Sequence, residues 1–110
     1  MPSKSSKQYT FSSSSGALAE KTLNGGLYKY GINATFGSSA VCVLQIKFDS
    51  TWVNAYDITG AAVTDTSSGA VNKTYDVYLP AGCICRLNIT TDAITSGDAF
   101  FSPVVSHNAA

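Results

Sequence analysis

Leu27-Tyr28-Lys29-Tyr30-Gly31-Ile32-Asn33-Ala34-Thr35-Phe36 is the run that decides the fold. Tyr28, Tyr30, Ile32, Ala34 and Phe36 recur at every second position, with Lys29, Asn33 and Thr35 between them. Successive strand side chains point to opposite sides of a sheet, so this spacing makes one apolar and one polar face. An amphipathic helix would instead need apolar residues three and four apart, and the chain offers no convincing one. The alternation resumes over residues 40–48, where Ala40, Cys42, Leu44, Ile46 and Phe48 share a face and Val41 and Val43 occupy the other. It returns over residues 74–89, with Tyr75, Val77, Leu79, Cys83, Cys85, Leu87 and Ile89 inward and Ile84, Arg86 and Asn88 outward.

Turn signals divide these runs. Asn24-Gly25-Gly26 opens the first long strand. Gly37-Ser38-Ser39 predicts a β-hairpin joining the first two runs, and Pro80-Ala81-Gly82 predicts a second. Asp49-Ser50 leads into residues 51–56, where Trp52 and Tyr56 share a face. Residues 61–64 form a weak strand and residues 99–105 the last one, with Pro103 marking a strand end or an edge. Residues 17–22 are long enough for one helical turn only. Seven or eight short strands without helical crossovers predict an all-β protein, a single antiparallel β-sandwich or jelly roll with an extended N-terminal arm. The boundaries expected are an arm over residues 1–22, a β-sandwich domain over 23–105 and a tail over 106–110.

A chain of 110 residues makes one domain, and a globule of this size buries roughly 65% of its unfolded surface. Only 13% of residues are charged, so Ser, Thr, Asn and Gly must cover much of the exterior. The net charge of zero hides an asymmetry. Lys4, Lys7, Lys21 and Lys29 stand against Glu20 in the first 30 residues, whereas Lys47, Lys73 and Arg86 face six Asp in the remainder. The leading segment is thus either a solvated tail or an arm that docks on an acidic neighbour, carrying Lys4, Lys7, Tyr9 and Phe11 as contact residues. On the body, Val41, Val43 and Ile84 project from the polar faces and predict a covered patch used in self-association or docking.

Several chemistries fall away. Residues 1–15 hold no apolar run of signal-peptide length, and no stretch approaches a membrane span. Three body cations without an Arg/aromatic cluster argue against nucleic acid. The single His107 lies near the end of the chain, away from any nucleophile, and the Asp residues fall mostly in turns, so no catalytic set is expected. No cofactor or metal is expected either, since a zinc site needs more ligands than the three cysteines Cys42, Cys83 and Cys85, and that histidine lies in a terminal tail. The cysteines read as buried free thiols, with a bridge from Cys42 to Cys83 or Cys85 as the other possibility. Trp52, Tyr56, Tyr28 and Tyr30 could form a sugar-stacking platform, but aromatics at a spacing of two fit a core better.

Five short motifs recur in a known order. They are Leu23-Asn24-Gly25-Gly26-Leu27-Tyr28, Ala34-Thr35-Phe36-Gly37, Val43-Leu44-Gln45, Thr51-Trp52, and Leu79-Pro80-Ala81-Gly82 followed by Arg86. This order over residues 23–105 resembles small structural proteins of tailed bacteriophage virions. The family's usual Asp-Gly turn before Ser-Thr-Trp here lacks its glycine, reading Phe48-Asp49. The resemblance implies a capsid decoration (cement) protein without enzymatic activity, made in the host cytoplasm and placed on the head surface. Its implied partners are the major capsid protein and further copies of itself, as a homotrimer. The alternative it leaves is a head-fibre or tail-associated adhesion module recognising a host glycan.

Overall fold

The computed structural model describes residues 7–104. Among them are eight strands and no helix: β1 (Lys7–Ala17), β2 (Lys21–Leu23), β3 (Gly26–Phe36), β4 (Ala40–Phe48), β5 (Thr51–Asn54), β6 (Thr64–Ser67), β7 (Ala70–Leu79) and β8 (Cys83–Pro103). All pairings are antiparallel and belong to one sheet with the order β5-β4-β8-β3-β7, to which β1 and β2 add along β8 and β6 along β4.

The sheet curls because β8 and β1 each run through both of its halves. Residues 85–90 of β8 pair with β4, and residues 94–103 pair with β3. Strand β1 follows β8 around the same corner, shifting register between Ser14 and Gly16. Such bulges bend a strand and increase its twist, which lets one ladder run through both halves of the sheet. Thr91, at φ 75°, marks the bend in β8. The β4 half thus contains β4, β5, β6 and the first part of β8, and the β3 half contains β3, β7 and the last part of β8.

The apolar alternation of β1, β3, β4, β7 and β8 faces one core. Tyr28, Tyr30, Ile32 and Phe36 from β3 are buried together with Cys42 and Leu44 from β4 and Cys85, Leu87, Ile89 and Phe101 from β8. Tyr30 stacks on Phe101 at 5.0 Å and on Tyr75 at 5.9 Å between ring centroids. Offset-stacked rings of this kind add to the area they bury. All three cysteines are buried and free. Burial pushes the Cys42 and Cys85 thiols up to about 12, so they stay protonated and behave as small apolar groups.

Two glycines are required by close approach. Gly97, at φ +117°, pairs with Ala34, and a Cβ there would stand 2.3 Å from the Asn33 carbonyl oxygen. Gly31 pairs with Phe100, whose ring occupies the space a Cβ would take, 2.4 Å from Cζ.

Four sequence expectations need correction. Neither expected hairpin forms: β3 pairs with β7 and β8, and β4 pairs with β5, β6 and β8. Gly37-Ser38-Ser39 and Pro80-Ala81-Gly82 instead carry the chain from one half of the sheet to the other, with Ser39 at φ 64° and Gly82 at φ 68°. The expected arm is, from Lys7 on, strand rather than arm: β1 lies along β8, and β2 replaces the expected helical turn. Tyr9 and Phe11 are accordingly buried in the chain's own core, because β8 needs a partner on its free side and their spacing of two matches its pleat. The polar stretch over residues 91–97, whose composition reads as a loop, is instead part of the continuous 21-residue strand β8. The expected weak strand over 61–64 is displaced to Thr64–Ser67.

Candidate functional site

The outer face of the β4 half is built by the same alternation that fills the core. In β4 the residues Val41, Val43, Gln45 and Lys47 point away from the core, and all four are half-buried. In β8 the matching residues are Ile84, Arg86 and Asn88, also half-buried. Register sets their order: Val41 pairs with Thr90, Val43 with Asn88 and Gln45 with Arg86. On the other side of β4, Gln45 pairs with Asn54 and Lys47 with Trp52. Val41 and Val43 therefore lie together, but Ile84 is separated from them by the Gln45–Arg86 row. What the sequence suggested as one apolar patch is two aliphatic flanks around a polar centre.

That centre is an ordered network. Arg86 Nε donates to Gln45 Oε1 at 2.9 Å, and Gln45 Nε2 donates to Asn54 Oδ1 at 3.1 Å. The Arg86 guanidinium lies 4.1 Å from the centroid of the Trp52 ring, and Lys47 Nζ stands 5.7 Å from it. A guanidinium over an indole face is attracted by the ring quadrupole while its edge remains free to donate. The ion pairs among the described residues are Lys29 with Asp76 and Lys73 with Asp65, so neither Arg86 nor Lys47 has a carboxylate partner there.

Other sequence candidates fall elsewhere. Lys7 is half-buried at the start of β1, opposite Phe101, while Lys4 lies outside the described residues. Tyr28 and Tyr30 are core residues, whereas Tyr56 is 60% exposed and Trp52 belongs to the network just described. Asn33, Asn72 and Asn88, each of which opens an Asn-X-Thr sequence, all stand on outer faces, and Asn33 pairs directly with Asn72.

Two further features stand apart from this surface. Asp65 is 3% exposed, accepts a hydrogen bond from the Tyr75 hydroxyl at 2.7 Å and lies 3.7 Å from Lys73 Nζ, fastening β6 to β7. Hydrogen bonding to Asp65 adds to burial in holding the Tyr75 phenol well above its ordinary range. A depression of about 280 Å³ lined by Ser15, Ile89, Thr91, Asp92 and Ala93 marks the corner where β1 and β8 bend. Among the described residues no group of three or more His, Cys, Asp or Glu is placed to hold a metal ion.

Gln45, Lys47, Trp52, Asn54 and Arg86 were not singled out from the sequence as one site. The period-two pattern assigns Gln45, Lys47 and Arg86 to outward faces, but only the β4–β8 and β4–β5 registers bring them beside Trp52. No protein-family model, curated protein or solved structure matches the chain.

Proposed function

We propose that the chain is a structural docking protein of a bacteriophage virion, a capsid decoration protein that attaches to the major capsid protein and to further copies of itself, a trimer being the favoured assembly. On this reading the curled sheet is a β-sandwich, the protein is not an enzyme, and its place of action is the head surface. The observation that carries the reading is the outer face of β4, β5 and β8, where half-buried Val41, Val43 and Ile84 flank the fixed Arg86–Gln45–Asn54 network. A continuous antiparallel ladder backs this face, so docking requires little ordering of the backbone itself. An interface of ordinary size removes about 800 Å² from each partner, enough to cover it.

The motif order over residues 23–105 supplies the virion context, and the geometry supplies the surface. The glycan-adhesion alternative has weaker support, because Tyr28 and Tyr30 are buried and a face of Trp52 is occupied by Arg86. Quantitative mass spectrometry of purified intact particles tests the proposal. The expected result is a copy number in fixed ratio to the major capsid protein, with release of the protein leaving capsids less resistant to heat. Absence from purified particles would overturn it.

A further inference from the structure

We propose that Arg86, Lys47 and Trp52 form a carboxylate-binding fork that receives an acidic side chain from an extended segment of a partner protein. The inference deepens the docking reading by naming the chemistry of the partner at that surface.

Arg86 is held in place by two contacts on different sides of its guanidinium. Nε is engaged with Gln45 Oε1 at 2.9 Å, and the cation stacks against Trp52 at 4.1 Å. Gln45 is itself fixed by Asn54 at 3.1 Å. A guanidinium carries five N–H donors in a planar fork, and its two terminal nitrogens match the two oxygens of a carboxylate. Among the described residues these terminal nitrogens make no hydrogen bond, and no carboxylate lies within ion-pair distance of Arg86 or Lys47. Lys47 beside the same ring adds a second positive charge. The fork is therefore positioned before any ligand arrives, and its charge has no partner among the described residues of a body that is otherwise acidic.

The flanks select a protein segment over a polysaccharide. Val41 and Val43 lie on one side of the Gln45–Arg86 row and Ile84 on the other. Aliphatic side chains on both sides of a charged fork suit an extended peptide carrying apolar residues next to an acidic one. A sugar would draw instead on a free aromatic face, and Arg86 already covers one face of Trp52.

Trp52 is the single tryptophan of the chain, so its fluorescence reports on the site directly. Titration of the full chain with a blocked oligoglutamate peptide is expected to change its emission saturably, whereas the oligoglutamine counterpart does not. Arg86→Gln should weaken the titration at least about ten-fold, since it removes a bidentate charge-assisted contact. Arg86→Lys should recover only part of the affinity, because an ammonium keeps the charge and loses the fork. Circular dichroism checks that each variant keeps its β spectrum. An unchanged titration in a folded Arg86→Gln variant overturns the inference, as does the lack of a saturable response to oligoglutamate. Tighter, Arg86-dependent binding of polygalacturonate than of the peptide also overturns it, assigning the fork to acidic glycans. A positive peptide titration alongside absence from purified particles would leave the fork standing and remove the virion reading; the reverse pattern would do the opposite.

Discussion

The outer faces of the two halves of the sheet treat their charges differently. On the β3 half, Lys29 pairs with Asp76 at 2.7 Å, and Asp98 accepts from Gln8 and Thr10 at 3.2 Å each. Phe100 lies over Gly31 there, so its ring covers backbone. On the β4 half, Arg86 and Lys47 share an indole ring and have no carboxylate partner among the described residues. Both faces arise from the same period-two alternation on the same antiparallel ladder. One has its charged groups matched internally, as an ordinary solvated surface does. The other leaves donors open between aliphatic flanks, which is what a docking face requires.

The contrast between the faces depends on the core that both halves share, and that core is most exposed to alkaline pH. Burial raises Cys42 and Cys85 from the ordinary thiol value of 9.0 to about 12. A group whose folded pKa is raised contributes stability that is complete below the unfolded value and lost as pH rises through the folded one. Stability should therefore fall between about pH 9 and pH 12, by on the order of several kcal/mol in total. Denaturant melts across that window check this, and a Cys42→Ala/Cys85→Ala variant should show a shallower decline. A decline of unchanged slope in that variant would place the titration elsewhere.

A smaller effect follows from Gly97→Ala, which forces a Cβ against the Asn33 carbonyl at φ +117°. The expected cost is about 2–4 kcal/mol. Because Gly97 sits where β8 joins the β3 half, a loss under about 1 kcal/mol would contradict the β3–β8 register.

The faces themselves are compared by matched surface changes. Val43→Lys on the β4 half should preserve the β spectrum while weakening self-association or capsid attachment about ten-fold or more, by placing a charge where an apolar contact is expected. Asn72→Lys, on the exposed face of the β3 half, should leave both unaltered. Co-sedimentation with capsids and analytical ultracentrifugation read the two outcomes, and equal behaviour of both variants would erase the distinction between the faces. The smallest change is expected for Lys29→Ala. Its ion pair is 46% and 38% exposed at the two side chains, so screening by water limits the loss to about 0.5 kcal/mol or less. A thermal melt that drops by much more would show that the pair holds β3 to β7.

Much of the local structure is legible in the residues. Tyr28, Tyr30, Ile32 and Phe36 had to share a face, and so did Cys42, Leu44 and Ile46, because side-chain direction along a strand is local geometry. Asp49 takes the left-handed conformation at φ 54° in the turn before Thr51, a conformation its short polar side chain tolerates. Pro103 ends β8, as its missing N–H suggested.

Pairing is another matter. An inward alternation on β3 and β4 is satisfied equally by two strands side by side and by two strands facing each other across a core. The hydrogen bonds that separate the cases come from β7, β5, β6 and β8, far away in the chain. Tyr9 and Phe11 carry the same ambiguity, since two aromatics outside the main alternation fit a partner's groove as well as the vacant side of β8. The fork at Arg86 depends on the same non-local choice. Residue type and spacing placed Gln45, Lys47 and Arg86 on outward faces. The β4–β8 register brought Gln45 to Arg86, and the β4–β5 register brought Asn54 and Trp52 to the same place. Which way a strand side chain points is settled within a few bonds of its own Cα, whereas which strand lies beside it is settled by backbone groups that meet only when the whole sheet closes.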